Sequence, residues 1–110
     1  MAELLMAQFD VFTNNGAGAR TTPFLVDVQS DLLGDLGTRM VIPLRRRDTF
    51  PAQILPTRLT PVFALQDIAC LLETAKMAAV PERILKNPVE SLAARRDEIT
   101  GAIDFLIHGF

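Results

Sequence analysis

The chain has 110 residues, 49% of them hydrophobic and 22% charged, with a formal net charge of −2 and a pI near 5.3. That suits one globular domain around a single core and excludes a disordered chain. The charge balance excludes a general electrostatic grip on nucleic acid or anionic membrane, and a lone cysteine (Cys70) and a lone histidine (His108) exclude an internal disulfide and the usual zinc sets.

The opening, Met1-Ala2-Glu3-Leu4-Leu5-Met6, has an acid where a secretory signal has a base, and its apolar run is short. Residues 1–7 read as an extension ahead of the fold. No stretch approaches the roughly 18 apolar residues of a spanning helix, so the expected location is cytoplasmic, without a membrane partner. Gln8 to Thr13 predicts a strand, with Phe9 and Val11 on one face and Asp10 and Phe12 on the other. Asn14 to Gly18 is a loop. Phe24 to Ser30 predicts a second strand, Gly34 to Thr38 a turn, and Arg39 to Leu44 a third strand whose Pro43 suits a strand end or edge. Short turns leave no room for crossover helices, which argues an antiparallel meander.

Arg45 to Pro61 reads as a proline-punctuated loop with at most one helical turn. Ala64 to Val80 is ambiguous. Its Leu, Ala, Glu, Lys and Met favour helix, but Pro61–Ala64 and Ile68–Leu72 also fit a hairpin turning at Gln66-Asp67. Pro81 marks a break or another edge strand. The last segment predicts a helix capped by Asn87-Pro88 or Ser91. Leu92, Ile99, Ile103 and Leu106 form its apolar face, Arg95, Arg96, Asp97 and Glu98 are solvated, and Gly109 stops it.

No enzyme motif is present. Cys70 with His108 names a thiol–imidazole pair, but Cys70 lies in an apolar run and reads as a buried, inert thiol. Asp97 and Glu98, adjacent on a helix, do not face one another and read as solvated surface. Arg45-Arg46-Arg47 is the only basic run and reads as a solvated loop rather than a phosphate clamp. Asp27, flanked by Val26 and Val28, reads as a buried acceptor needing a partner, for which Arg39 is available. The ending Phe105-Leu-Ile-His-Gly-Phe110 has no charged tail, so it either docks on its own sheet or inserts into a partner.

Phe24-Leu-Val-Asp-Val-Gln-Ser-Asp-Leu-Leu33, followed by Thr38-Arg-Met-Val-Ile-Pro-Leu44, resembles the CcdB family, toxins of bacterial toxin–antitoxin modules that poison DNA gyrase. Met77-Ala-Ala-Val-Pro81 resembles that family's Met-Ala-Ser-Val-Pro. Leu92 to Phe110 resembles its closing helix, with Arg95, Asp97 or Glu98, Ile99, Ala102, Ile103 and Gly109 in place. The similarity runs from Gln8 to the last residue and is weak between Arg45 and Gln66.

The resemblance implies a mainly β (α+β) fold: an SH3-type barrel with an antiparallel sheet, a small satellite sheet and one C-terminal helix. It divides the single domain, 1–110, into a β region over 8–90 and a helix over 91–108, and it resolves the ambiguous stretch towards the hairpin. It further implies a two-fold homodimer with no catalytic residues, cofactor, metal or specific DNA binding of its own. The partners would be the DNA gyrase A subunit, trapped in its DNA-cleavage complex, and a CcdA-like antitoxin whose disordered segment orders on binding. The gyrase-binding positions carried over are Leu32, Leu33, Asp104, His108, Gly109 and Phe110. His108 departs from a family Trp. An imidazole offers less area for a cation–π contact and, when protonated, repels an arginine. Phe110, larger than the family's Ile, supplies aromatic surface two positions on from His108. The alternatives are a MazF-like endoribonuclease on the same fold, drawing on Arg45–Arg47 and His108, and a decayed toxin that retains only antitoxin binding.

Overall fold

The computed structural model describes residues 7–50 and 56–109, which leaves most of the 1–7 extension outside the described residues. Its strands are β1 (Asp10–Thr13), β2 (Phe24–Asp27), β3 (Thr38–Arg46), β4 (Val62–Leu65), β5 (Ile68–Leu72), β6 (Ala78–Pro81) and β7 (Glu90–Ser91), followed by one helix, α1 (Arg96–His108). All pairings are antiparallel, in the order β4-β5-β3-β2-β1-β7, with β6 also on β3. The sheet curls into a nearly closed barrel, consistent with the SH3-like expectation. The hairpin and β6 join the rest through β3, so the expected satellite is continuous with the main sheet.

Each boundary that differs from the sequence expectation has a local cause. β1 starts two residues late because Phe9 takes a φ of 73°, a left-handed conformation rare for a bulky residue. β2 stops at Asp27 because its Oδ1 accepts the Gln29 N–H at 2.9 Å, a side-chain turn that ends the strand. β3 runs on to Arg46, taking Arg45 and Arg46 out of the expected loop by pairing them with Leu71 and Cys70 of β5. The expected helical turn in that loop is the 3-10 segment Arg47–Thr49.

Pro43 sits inside β3 without breaking it. Its carbonyl accepts the Glu73 N–H at 2.9 Å, so its missing donor faces the same side, where β5 ends and the 3-10 turn Thr74–Lys76 separates it from β6. The ambiguous stretch is a hairpin. Gln66 and Asp67 both have positive φ, 48° and 66°, the two-residue turn whose twist matches the flanking strands. Helix propensity loses there because Phe63, Leu65, Cys70 and Leu72 alternate into the core.

The helix expected over 91–108 begins as a 3-10 turn at Ala93–Arg95 and becomes α-helical only at Arg96. The backbone before it is committed elsewhere. Val89 and Leu92 donate to Val11 and Phe9 carbonyls at 2.8 Å, which makes Glu90–Ser91 an edge strand on β1. Ser91 Oγ still accepts the Ala93 N–H at 3.1 Å, a cap for the 3-10 turn. Asn87, with φ 55°, lies in the preceding loop and caps nothing. Leu92, Ile99 and Ala102 enter the main core and Ile103 packs against it, but Leu106, expected on the same face, is 40% exposed. A second cluster, Phe12 with Val41 and Leu85, covers the other side of the sheet. That is why Val11 and Phe12, adjacent and on opposite faces, are both fully buried.

Candidate functional site

The residues expected to meet a partner fall on two elements. The first is the 3-10 segment Asp31–Leu36, a turn between β2 and β3. Ser30 starts it: its Oγ accepts the Leu32 N–H at 3.2 Å and its carbonyl accepts the Leu33 N–H at 3.0 Å. Gly37, at φ 77°, ends it in the left-handed conformation that favours glycine. No residue of the turn is buried. Leu32 is 94% exposed, Leu33 51% and Leu36 62%. Burying one leucine is worth about 1.5–3 kcal/mol, so three in one short turn form a surface that gains by meeting a partner.

The turn is backed by charge and amide rather than by apolar packing. Arg39 Nε donates to Asp27 Oδ2 at 2.8 Å and its Nη2 lies 2.6 Å from the same oxygen, the pairing the sequence suggested. Both side chains are almost wholly buried. Burial pushes the Asp27 carboxyl above the usual carboxylate range, outweighing the downward pull of the Arg39 and Gln29 hydrogen bonds. Gln29, also buried, donates from Nε2 to the Leu33 carbonyl at 2.7 Å and accepts the Met40 N–H on Oε1 at 3.1 Å. Arg39 Nη2 donates to the Gln29 carbonyl at 3.3 Å and lies 3.6 Å from Asp31, whose carboxylate accepts the Gln8 N–H at 2.8 Å.

The second element is the end of α1. Asp104 and His108 are exposed one turn apart, the spacing that puts two helical residues on one face. Ile107 is 63% exposed beside them. Gly109, at φ 79°, donates its N–H to the Phe105 carbonyl at 2.8 Å and closes the helix as expected. Phe105 is half-buried, with the Arg58 guanidinium 4.9 Å from its ring centroid. Phe110 lies outside the described residues. The turn packs on β3, whereas α1 packs on the Thr74–Lys76 and Ala93–Arg95 segments, so within one chain these are two patches without extensive contact.

Of the remaining candidates, Cys70, Arg45, Arg46 and Glu98 are engaged within the chain, and Arg47 and Asp97 are exposed. Cys70 is fully buried, and desolvation pushes its thiol up to about 11, the state of an inert core thiol. Arg45 donates to the Thr49 carbonyl at 2.7 Å and stacks 5.3 Å from the Phe50 ring centroid. Arg46 pairs with Asp48 at 3.2 Å, and Arg47 is exposed. Glu98 pairs with Arg95 at 2.6 Å. Among the described residues no group of three or more His, Cys, Asp or Glu is placed to hold a metal ion, and no helix is long and apolar enough to cross a membrane.

Sequence reasoning missed three things. Leu36 and Ile107 extend the two patches; their signal was an apolar residue flanked by turn or terminal residues, with no periodic partner. The Gln29 carboxamide had no signal beyond its place in the second strand. A groove of about 480 Å³ between Arg58, Pro61 and Val62 and the Asp97–Gly101 side of α1 lies partly in the region where the family resemblance is weakest. The two patches suit the burial of apolar surface against a partner. The family model described as CcdB protein matches residues 8–109.

Proposed function

Because the chain belongs to the CcdB family, toxins of toxin–antitoxin systems, we propose that it binds the DNA gyrase A subunit and traps the gyrase–DNA cleavage complex, acting by contact and without catalysis. The observation that carries this reading is that the turn displays Leu32 and Leu33 to solvent, the two residues that the family resemblance marks for contact. The exposed end of α1, with Asp104, His108 and Gly109, supports it. In this reading two copies pair about a two-fold axis with their closing helices adjacent. Each patch is then presented twice, as an isologous dimer requires. Phe110 supplies aromatic surface where the family's Trp is replaced by His108. A CcdA-like antitoxin, ordering as it binds, neutralises the protein by covering the same surface.

The test is a supercoiling and DNA-cleavage assay with the gyrase of the same host. Accumulation of cleaved DNA at micromolar protein is the expected result, and addition of the antitoxin encoded beside the toxin reverses it. Absence of stabilised cleavage, or a strictly monomeric protein in sedimentation at the active concentration, overturns the reading.

A further inference from the structure

The turn that displays Leu32 and Leu33 contains no buried residue, so apolar packing does not explain why it holds one shape. Its hydrogen bonding is also interrupted. Leu33 has φ −111° and ψ 31°, outside helical values, a kink within the 3-10 segment. At that kink the Leu33 carbonyl accepts from a side chain, Gln29 Nε2, at 2.7 Å. The other end of the same carboxamide accepts the Met40 N–H of β3 at 3.1 Å. One buried amide therefore ties the middle of the turn to the longest strand of the sheet.

Gln29 is itself fixed at both main-chain groups. Its N–H donates to Asp27 Oδ1 at 2.9 Å, and its carbonyl accepts from Arg39 Nη2 at 3.3 Å. The Asp27–Arg39 ion pair grips the Gln29 backbone, and the Gln29 side chain grips Leu33. A carboxamide is the group this junction needs, since it donates at one end and accepts at the other. A carboxylate keeps the acceptor for Met40 and loses the donor for Leu33.

We propose that Gln29, locked in place by Asp27 and Arg39, is a positioning residue that sets the outward geometry of Leu32 and Leu33 for gyrase. The idea rests on the gyrase reading above. Gln29 acts through the leucines and touches no target itself.

The experiment uses the full-length protein and the host gyrase A subunit in a double-mutant cycle. Gln29→Glu is expected to weaken binding about tenfold, the effect of leaving one buried acceptor unpaired. In the Leu32→Ala/Leu33→Ala background the same change is expected to cost less than about twofold, because the groups it positions are gone. Ile99→Val, which trims the core beneath α1, serves as the control for lost stability and leaves binding unchanged. A second arm needs no gyrase. Amide hydrogen exchange at Leu32 and Leu33 speeds up in Gln29→Glu, while exchange in β1 and α1 keeps its unaltered rate. A tenfold loss that persists in the leucine-less background, or unchanged exchange at Leu32 and Leu33, overturns the proposal. Failure of the unaltered protein to bind gyrase overturns the functional reading instead, and the exchange arm still decides whether Gln29 pins the turn.

Discussion

The two exposed patches are built on opposite plans. The Asp31–Leu36 turn is anchored at both ends by strands and in its middle by a buried amide backed by an ion pair. The end of α1 is held by the helix's own backbone and closes on Gly109. Both display large apolar side chains, but the geometry of the first is set from inside the protein and that of the second by the run of a helix. Interior substitutions therefore reach the turn, and truncation reaches the helix end.

The largest expected effect comes from breaking the interior support. Arg39→Met leaves Asp27 buried without a counter-charge, which costs about 3–5 kcal/mol and lowers the melting temperature by roughly 15 °C or more. An unchanged thermal melt would mean that the pair is not integral to the core. The titration of Asp27 gives the comparison a sign. Its folded-state pKa is raised by burial, so the protonated form is favoured on folding. The stability it contributes is fully present below its unfolded value, about 3.9, and is lost as pH rises through the folded value. The stability advantage of the unaltered protein over Asp27→Asn therefore shrinks from acid towards neutral pH in urea melts.

Next is the helix end. Among the described residues, removing Gly109 and Phe110 takes away the cap bond from the Gly109 N–H to the Phe105 carbonyl and leaves every buried residue of α1 in place. The expected outcome is loss of growth inhibition, with gyrase binding weakened roughly 30-fold or more and melting lowered by less than about 5 °C. Induction in a sensitive host and a thermal melt read the two quantities separately. A collapse of both together would place the terminus in the core and erase the contrast with the turn.

A change in neither patch sharpens the separation of stability from contact. Gln66 and Asp67 occupy positive φ in the hairpin turn, where Asn-Gly is the favoured pair. Gln66→Asn with Asp67→Gly is expected to stabilise the protein by about 1 kcal/mol through relief of that conformation, visible as a higher urea midpoint. Gyrase inhibition per molecule stays unchanged.

The sequence made some of this legible for identifiable reasons. An acid between two valines demanded a buried partner, and Arg39 met that demand. The Val-Asp-Val-Gln-Ser-Asp block placed the exposed leucines, and the resemblance resolved the 64–80 stretch against its helix propensity. What stayed hidden depended on who claims a backbone group first. The helix start moved from Ser91 to Arg96 because Val11 of β1 and Phe9 just before it take the amides of Val89 and Leu92. Leu106 kept the helical spacing but lies beyond the part of α1 that reaches the barrel. Gln29 looked like one more strand position, because a hydrogen bond to a carbonyl four residues on leaves no periodic trace.

The smallest expected effect is at an ion pair of the opposite kind to Asp27–Arg39. Arg95 and Glu98 meet at 2.6 Å on the surface, each nearly half exposed. The Arg95 hydrogen bond holds the Glu98 carboxyl below its ordinary range. A lowered folded-state pKa contributes stability above the unfolded value, about 4.3, and that contribution is lost as pH falls through the folded value, the reverse of Asp27. Solvent screening limits it to about 0.5 kcal/mol, so Glu98→Gln shifts the urea midpoint slightly at pH 7, and about 1 M salt reduces the difference further. Arg95→Ala is expected to cost more than Glu98→Gln. The Arg95 guanidinium also lies 4.3 Å from the ring centroid of Phe63, a fully buried residue, so its removal uncovers core aromatic surface that the loss of Glu98 leaves shielded. Equal costs for the two substitutions would assign the whole effect to the ion pair and none to the arginine's cover over the barrel.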